Sequence, residues 1–540
     1  MNVGTVPVIP IADVAAGGIW SGWARCQPNW LGWGGEPVVV RDRESRSHGE
    51  GVQHDRSNKH SEGDTLANTD VSWPDVTEAW SRVLAMQTKL HCWATVDPGR
   101  RFDDLFNLVY DPGFLVAAWN RVQGNKGGRT AGVDGVVPRS VAPADVLGIL
   151  VDLRENVKIG EFVPERVKQK SIPKANGKVR KLGIPTMLDR IVQASLKLVL
   201  EPIFEADFQP SSYGFRPRRR AQDAIAEIHF YASRGYEQVF EADITACFDE
   251  IDHTALMERV RGRIADKRVL RLVRGFLKAG VLSEDGVNRD TVTGTPQGGV
   301  LSPLLANIAL SIVDEHFQHK WDALGSGWPR TKHQRAGGAT MKLIRYADDF
   351  VVLVYGKRVD AEMLWDEVAA VLQPMGLRLS VEKTRVTHID DGFDFLGWHI
   401  QRRRIRGHTG KTAVYTYPSK KSLASIMDKV RRLTRRTSHQ SLAELLRRIN
   451  PVLRGWCNYF QHGVSKRVFS YIDHYAFGRI VRWLRKRHPK LNMHTLVRRF
   501  LPGWEIRDDG IEFFRAWQVS VTRYRYRGTR IPTPWASATA

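Results

Sequence analysis

The sequence predicts an α+β fold, a strand-containing body followed by an all-α, strongly basic module, and three observations carry that expectation. Between residues 100 and 400, short apolar runs rich in β-branched and aromatic residues are separated by stretches of helical spacing, with no regular β-α-β period. Beyond about Tyr417 the pattern becomes helical. The charge changes in the same region. From Gln401 to the end there are 31 Lys+Arg against 7 Asp+Glu, whereas residues 1–400 hold 50 against 51. The expected body is a sheet covered by helices on one face.

In chain order, residues 1–75 are rich in Gly, Ser, Asn and His without sustained periodicity, and read as a poorly ordered extension. Helical spacing runs from Pro74 to about Val122. A Gly-rich basic loop, Gly124 to Gly135, then reads either as a connector or as a loop held against a phosphate backbone. Ile172 to Pro185 reads as strand, Asn-Gly turn, strand, carrying Lys174, Lys178, Arg180 and Lys181. Such a cluster is either a solvated face or a basic finger that grips phosphates. Thr186 to Phe204 reads as an amphipathic helix, Leu304 to Phe317 as an apolar-faced one, and Asp360 to Leu372 as a third. Leu423 to Thr434, Ser441 to Tyr459 and Tyr471 to Arg487 make a small basic bundle. The last 35 residues interleave Arg with aromatics, a pattern that suits base stacking or equally core aromatics beside solvated Arg.

Lys342 to Val354 is the centre of the chemistry. Leu343-Ile344 and Phe350 to Val354 read as two strands of a hairpin that brackets Asp348 and Asp349. On these residues alone a solvated Asp-Asp turn is the commoner reading. Adjacent carboxylates at a buried tip repel, however, and a proton or a divalent cation relieves the repulsion. A third acid, Asp243, ends the short strand led by Val239-Phe240 and can meet Asp348 across antiparallel strands.

Composition narrows the partners. A net charge of +23, concentrated in the last quarter, points to a polyanion. No apolar stretch approaches the roughly 20 residues of a spanning helix, and the start lacks a signal pattern, so a cytoplasmic protein without a membrane partner is expected. Cys26, Cys92, Cys247 and Cys457 lie far apart and support neither disulfides nor a zinc site.

Together these residues resemble a known family. Tyr346-Ala-Asp-Asp349 resembles the catalytic box of reverse transcriptases, and Asp243 in Ala-Asp-Ile-x-x-x-Phe-Asp-x-Ile resembles their first palm aspartate motif. Pro296-Gln-Gly-Gly-Val-Leu-Ser-Pro303 is similar to their nucleotide-pocket loop. Arg454-Gly-Trp-Cys-Asn-Tyr-Phe460 resembles the maturase segment of group II intron-encoded proteins, and Ser212 to Pro217, Leu182 to Thr186 and Asp189 to Gln193 match that subfamily. The likeness spans roughly residues 100 to 510. One departure is Arg180-Lys-Leu, where members commonly carry Arg-Pro-Leu. With no cysteine after Cys457, the resemblance implies the type lacking a zinc-coordinating endonuclease domain.

The resemblance implies a right-hand-like polymerase: fingers and palm over 76–400, a thumb/maturase helical domain over 401–505, and a basic-aromatic DNA-binding tail over 506–540. It implies RNA-directed DNA synthesis on two Mg²⁺ ions (Mn²⁺ as the alternative), held by Asp243, Asp348 and Asp349 with Asp243 and Asp348 bridging. Lys174 and Arg180 would hold the triphosphate and Gln297 would line the nucleotide pocket. Phe248 would gate against a ribose 2′-hydroxyl, as a flat ring collides with ribose but tolerates deoxyribose; a core phenylalanine is the other reading. Lys383 either approaches the primer end or forms a structural ion pair. The implied partners are intron RNA, an RNA template with a DNA primer, dNTPs and target DNA, with the oligomeric state open. A domesticated or defence-associated reverse transcriptase, or an RNA-binding splicing chaperone, are the competing functions.

Overall fold

Phe350 to Val354 has no polar alternation, the pattern of a strand buried on both faces, and the computed structural model places it so. Residues 72–173, 179–283, 288–289, 293–295, 298–405, 407–408, 410–435, 440–528 and 531–535 are described. Nearly all of the expected N-terminal extension lies outside them, as do Lys174 and Gln297.

Helices α1 (Val76–Val96), α2 (Pro112–Gly124) and α3 (Val146–Ile159) precede an antiparallel pair, β1 (Val167–Pro173) and β2 (Val179–Ile184). Then come α4 (Met187–Glu205), α5 (Ala221–Ala232), β3 (Gln238–Asp243), α6 (Ser302–Ala323), β4 (Thr340–Tyr346), β5 (Asp349–Tyr355) and β6 (Arg385–His388). The last four strands form one antiparallel sheet in the order β4-β5-β3-β6. Phe350, Val352 and Val354 enter one core with Phe240, Leu343 and residues of α4 and α6. Val351 and Leu353 enter a second core with Val239, Ile344, α5 and the C-terminal helices. The sheet is therefore covered on both faces, not on one as the irregular alternation of strands and helices suggested.

Helix α4 departs from its expected amphipathic character. Thr186 caps it, its hydroxyl accepting from Asp189 N at 3.2 Å, and all but one of its residues are buried. Its charges survive burial by pairing: Lys197 meets Glu201 one turn on at 3.4 Å. Arg190 donates to Pro185 O, Gly127 O and Thr130 O, and Asp134 accepts from Met187 N at 2.9 Å. The Gly-rich basic loop is thus a docked connector at the start of α4.

A second sheet, β7 (Phe393–Phe395), β8 (Trp398–Arg404) and β9 (Thr412–Pro418), leads into the helices α7 (Lys420–Leu433), α8 (Leu442–Phe460) and α9 (Lys466–Arg487). Ser441 and Glu444 form a capping box at α8. Trp456 packs on Phe460 and Phe469, and the Tyr459 hydroxyl donates to Leu396 O, whereas Asn458 faces solvent.

The C-terminal segment runs back across the body. In its extended part Tyr524 and Tyr526 turn inward while Arg523 and Arg525 stay exposed, a period of two. Tyr524 donates to Asp223, Tyr526 to Glu227, and Arg527 grips Asp223 with two bonds of 2.9 Å. Trp535 is buried and donates to Gln87 Oε1 of α1 at 3.1 Å. Tyr524 and Tyr526 belong to the protein's own packing, and the outward Arg523 and Arg525 face solvent.

Candidate active site

Strand register assembles the acids. Asp243, the last residue of β3, pairs directly with Asp349, the first of β5. Asp349 also pairs with Tyr346, so Ala347 and Asp348 alone form the turn between β4 and β5. Ala347 takes φ +59°, the positive value at the first central position that suits a two-residue hairpin. Directly opposed residues share a face at roughly 5 Å between Cβ atoms, so Asp243 and Asp349 are neighbours, with Asp348 next in the chain. The sequence alone matched Asp243 with Asp348; its cross-strand partner is Asp349.

Three carboxylates at one sheet end carry mutual repulsion. Burial raises the Asp348 carboxyl to about 6, with Asp243 adding to the rise and Arg180 and Lys383 opposing it. Burial, then the charges of Asp348 and Asp243, push Asp349 well above the usual carboxylate range. Lys383 Nζ lies 2.8 Å from Asp243 Oδ2, so the ion-pair reading of Lys383 is the one realised here.

The donor set suits a hard divalent cation: oxygen ligands only, with Asp348 Oδ1 buried and lacking a hydrogen-bond partner. The three carboxylates converge at one end of the sheet without closing around a point. Among the described residues no set of three His, Cys, Asp or Glu side chains is gathered in coordinating geometry.

These shifts have a consequence for stability. A carboxyl that binds its proton more tightly folded than unfolded contributes stability at low pH. That contribution is lost as pH rises from the unfolded value of 3.8 through about 6. With a chelator present, Asp348→Asn is therefore expected to melt above wild type at pH 7 and to lose that advantage by pH 4. Equal melting temperatures at both pH values would exclude the raised Asp348 carboxyl.

Around the acids, Phe248 lies in the short helix Cys247–Glu250 and is 8% exposed, its ring edge-on to Phe215 at 6.5 Å. Thr295 N donates to Phe248 O. At Gly294 a Cβ would sit 2.6 Å from Phe248 O and from the Asp249 carbonyl, so this close approach requires glycine. Gly298, likewise, lies where a Cβ would meet Gly183 O of β2 at 2.5 Å. Gly294 thus packs against the Phe248 turn, and Gly298 against the hairpin that carries Arg180.

Sequence reasoning missed the group beneath the turn. Arg345 is fully buried and ion-paired with Asp314, with Asn307 and Ser212 also in reach. One signal was available: Asn307 and Asp314 stand seven apart on the apolar face of α6, a polar pair where only core residues were expected.

A four-stranded antiparallel sheet gathering acids at one end, with a basic hairpin before it and a helical module after it, defines a class: the palm and fingers of a template-copying polymerase followed by a helical thumb. Residues 172–400 match the family described as reverse transcriptase (RNA-dependent DNA polymerase), and residues 423–501 match the group II intron, maturase-specific domain. The chain is 36% identical to Protein YkfC of Escherichia coli (strain K12), over 65% of this chain and 97% of the relative. It is 28% identical to the group II intron-encoded protein LtrA of Lactococcus lactis subsp. cremoris, over 70% of this chain and 73% of the relative. Nuclear intron maturase 1, mitochondrial, of Arabidopsis thaliana is 26% identical, over 43% of each. The chain belongs to the group II intron-type reverse transcriptases, RNA-directed DNA polymerases joined to a maturase domain that acts in intron splicing and mobility. As such it is a divalent-metal-dependent polymerase acting on nucleic acid, intron RNA included. Among the described residues no helix is long and apolar enough to cross a membrane.

Proposed function

We propose that Asp243, Asp348 and Asp349 are the catalytic acids, and that they hold two Mg²⁺ ions at the palm end of the sheet. The observation that carries this is the register pairing of Asp243 with Asp349, with Asp348 next in the turn. When bound, such ions lower the pKa of the primer 3′-hydroxyl and neutralise the leaving pyrophosphate. The chain's own part is to bring three carboxylates from two neighbouring strands to the same end of the sheet. Arg180, whose charge already reaches Asp348, binds the triphosphate together with Lys174. Gln297 lines the nucleotide pocket, and its amide donates to a sugar or phosphate oxygen. The fingers and palm span 76–400 and the thumb/maturase region 401–505.

The basic module beyond Gln401 tracks the template–primer duplex and the intron RNA through phosphates and shape. The outward Arg523 and Arg525 of the C-terminal segment are suited to target DNA. The reaction takes place in the cytoplasm. Primer extension on an RNA template with a DNA primer, dNTPs and Mg²⁺ is the test. Cation-dependent DNA synthesis is expected, and no synthesis on RNA would overturn the proposal.

Phe248 is the sugar gate. Its ring is 8% exposed, stands edge-on to Phe215 and lies five residues past Asp243. Phe248→Ala is expected to improve ribonucleotide incorporation relative to deoxyribonucleotide by about 10-fold or more, the scale of a lost steric contact. Unchanged discrimination would return Phe248 to a core role.

A further inference from the structure

We propose that Arg345 is the positioning residue of the acidic turn, fixing the backbone that presents Asp348 without itself touching substrate. The proposal rests on the reading that this turn carries catalytic acids.

Arg345 is a charged side chain in a strand, fully buried between α6 and the segment 211–216. Its guanidinium has five N–H donors in a rigid fork, and all five are used. Nε donates to Asp314 Oδ1 at 2.7 Å and Nη2 to Asp314 Oδ2. Nη1 donates to Asn307 Oδ1 at 3.0 Å and to Ala347 O at 2.9 Å, and Nη2 reaches Ser212 Oγ at 2.7 Å. The bond to Ala347 O matters most, because it ends on the turn itself, one residue before Asp348.

The same turn is braced from the other side. Tyr213 N donates to Arg345 O and Arg345 N to Ser211 O, so the segment 211–213 extends the edge of β4. Gly214 follows. A Cβ there would lie 2.2 Å from Ala347 N and 2.8 Å from the Tyr346 carbonyl carbon, so backbone presses on backbone. Asn307 closes the ring, donating from Nδ2 to Gly214 O at 2.8 Å while accepting from Arg345. Ala347 is therefore gripped at its carbonyl and abutted at its nitrogen.

That grip has a physical purpose. Ala347 adopts a left-handed φ that is unfavourable for an L-residue with a Cβ, and such conformations persist where the surroundings over-determine them. Stability alone is a poor reason for the pair. Buried ion pairs are often replaceable by apolar residues of similar volume at little cost. Geometry is the better one, since acids that must meet reacting groups tolerate little displacement.

The test is the double variant Arg345→Met/Asp314→Leu, which removes both buried charges together. Melting temperature, affinity for an RNA–DNA duplex by fluorescence anisotropy, and kcat and KM for dNTP are measured beside wild type and Asp348→Ala. The expected result is a melting temperature and duplex affinity near wild type with kcat lowered by about 10²-fold and KM little changed, the scale of a roughly 1 Å misplacement. Arg345→Lys is expected not to restore kcat, as a point charge cannot reproduce the fork. A folded double variant with wild-type kcat overturns the proposal. Should the double variant fail to fold, Ser212→Ala removes one bond to the fork and leaves the ion pair. A several-fold fall in kcat at unchanged melting temperature supports the role, and wild-type kcat overturns it. If Asp348→Ala retains activity, the underlying assignment of the acids fails instead, so the two failures are distinguishable.

Discussion

Asp348→Ala is expected to lower the rate of primer extension by on the order of 10³-fold or more, the scale seen when a group that stabilises transition-state charge is removed. Asp348 occupies the second place of a two-residue turn, and one of its oxygens is buried without a hydrogen-bond partner. Its removal also relieves the repulsion that raises Asp349, so the variant is expected to fold and to bind an RNA–DNA duplex as wild type does. Loss of synthesis with retained duplex binding separates a chemical role from a structural one. Synthesis comparable to wild type would refute the assignment. Asp243→Ala is expected to behave similarly, with the added release of Lys383 from its ion pair.

How far this site was legible before the fold was known can be argued residue by residue. Asp243, Asp348 and Asp349 were readable because each stands at the end of a short β-branched run, and strand ends are places where carboxylates from separate strands meet. The unbroken run Phe350 to Val354 held the evidence for a sheet buried on both faces, but strand composition did not say what would cover the second face. Helix α4 looked amphipathic from the spacing of Ile191, Leu196, Leu198 and Val199, yet its charged Asp189, Lys197 and Glu201 are buried too. Only the fold reveals that pairing within the helix, and with its neighbours, lets them be buried. Arg345 was illegible for a related reason. Its partners come from two places, Asn307 and Asp314 on α6 and Ser212 in the segment before α5, 31 to 133 residues away, and the polar pair on α6 does not say which residue it meets. The C-terminal tyrosines left two readings open, and the alternation Arg523, Tyr524, Arg525, Tyr526 resolves in favour of inward rings once Asp223 and Glu227 are seen beneath them.

Arg216→Ala is expected to cost about 3–5 kcal/mol of stability, the range for removing one partner of a buried pair. Arg216 and Glu205 are almost wholly buried and form a two-pronged contact at 2.9 and 2.8 Å. The remaining donors go to Gln209 O, Ser212 O and Phe208 O, so this arginine also ties the segment before the acidic turn to the end of α4. Truncation would leave Glu205 with Arg219 at 3.8 Å as its nearest ion-pair partner and three carbonyls without their donor. The comparison with Arg345 is instructive, because both fork into buried carboxylates. Arg345 ends on the turn, so its loss is expected in kcat. Arg216 ends on the loop that supports the turn, so its loss is expected first in the denaturant midpoint. Replacing both partners, Arg216→Met with Glu205→Leu, should recover most of the loss, since no unpaired charge remains. A single Arg216→Ala variant as stable as wild type would show that Arg219 alone suffices for Glu205.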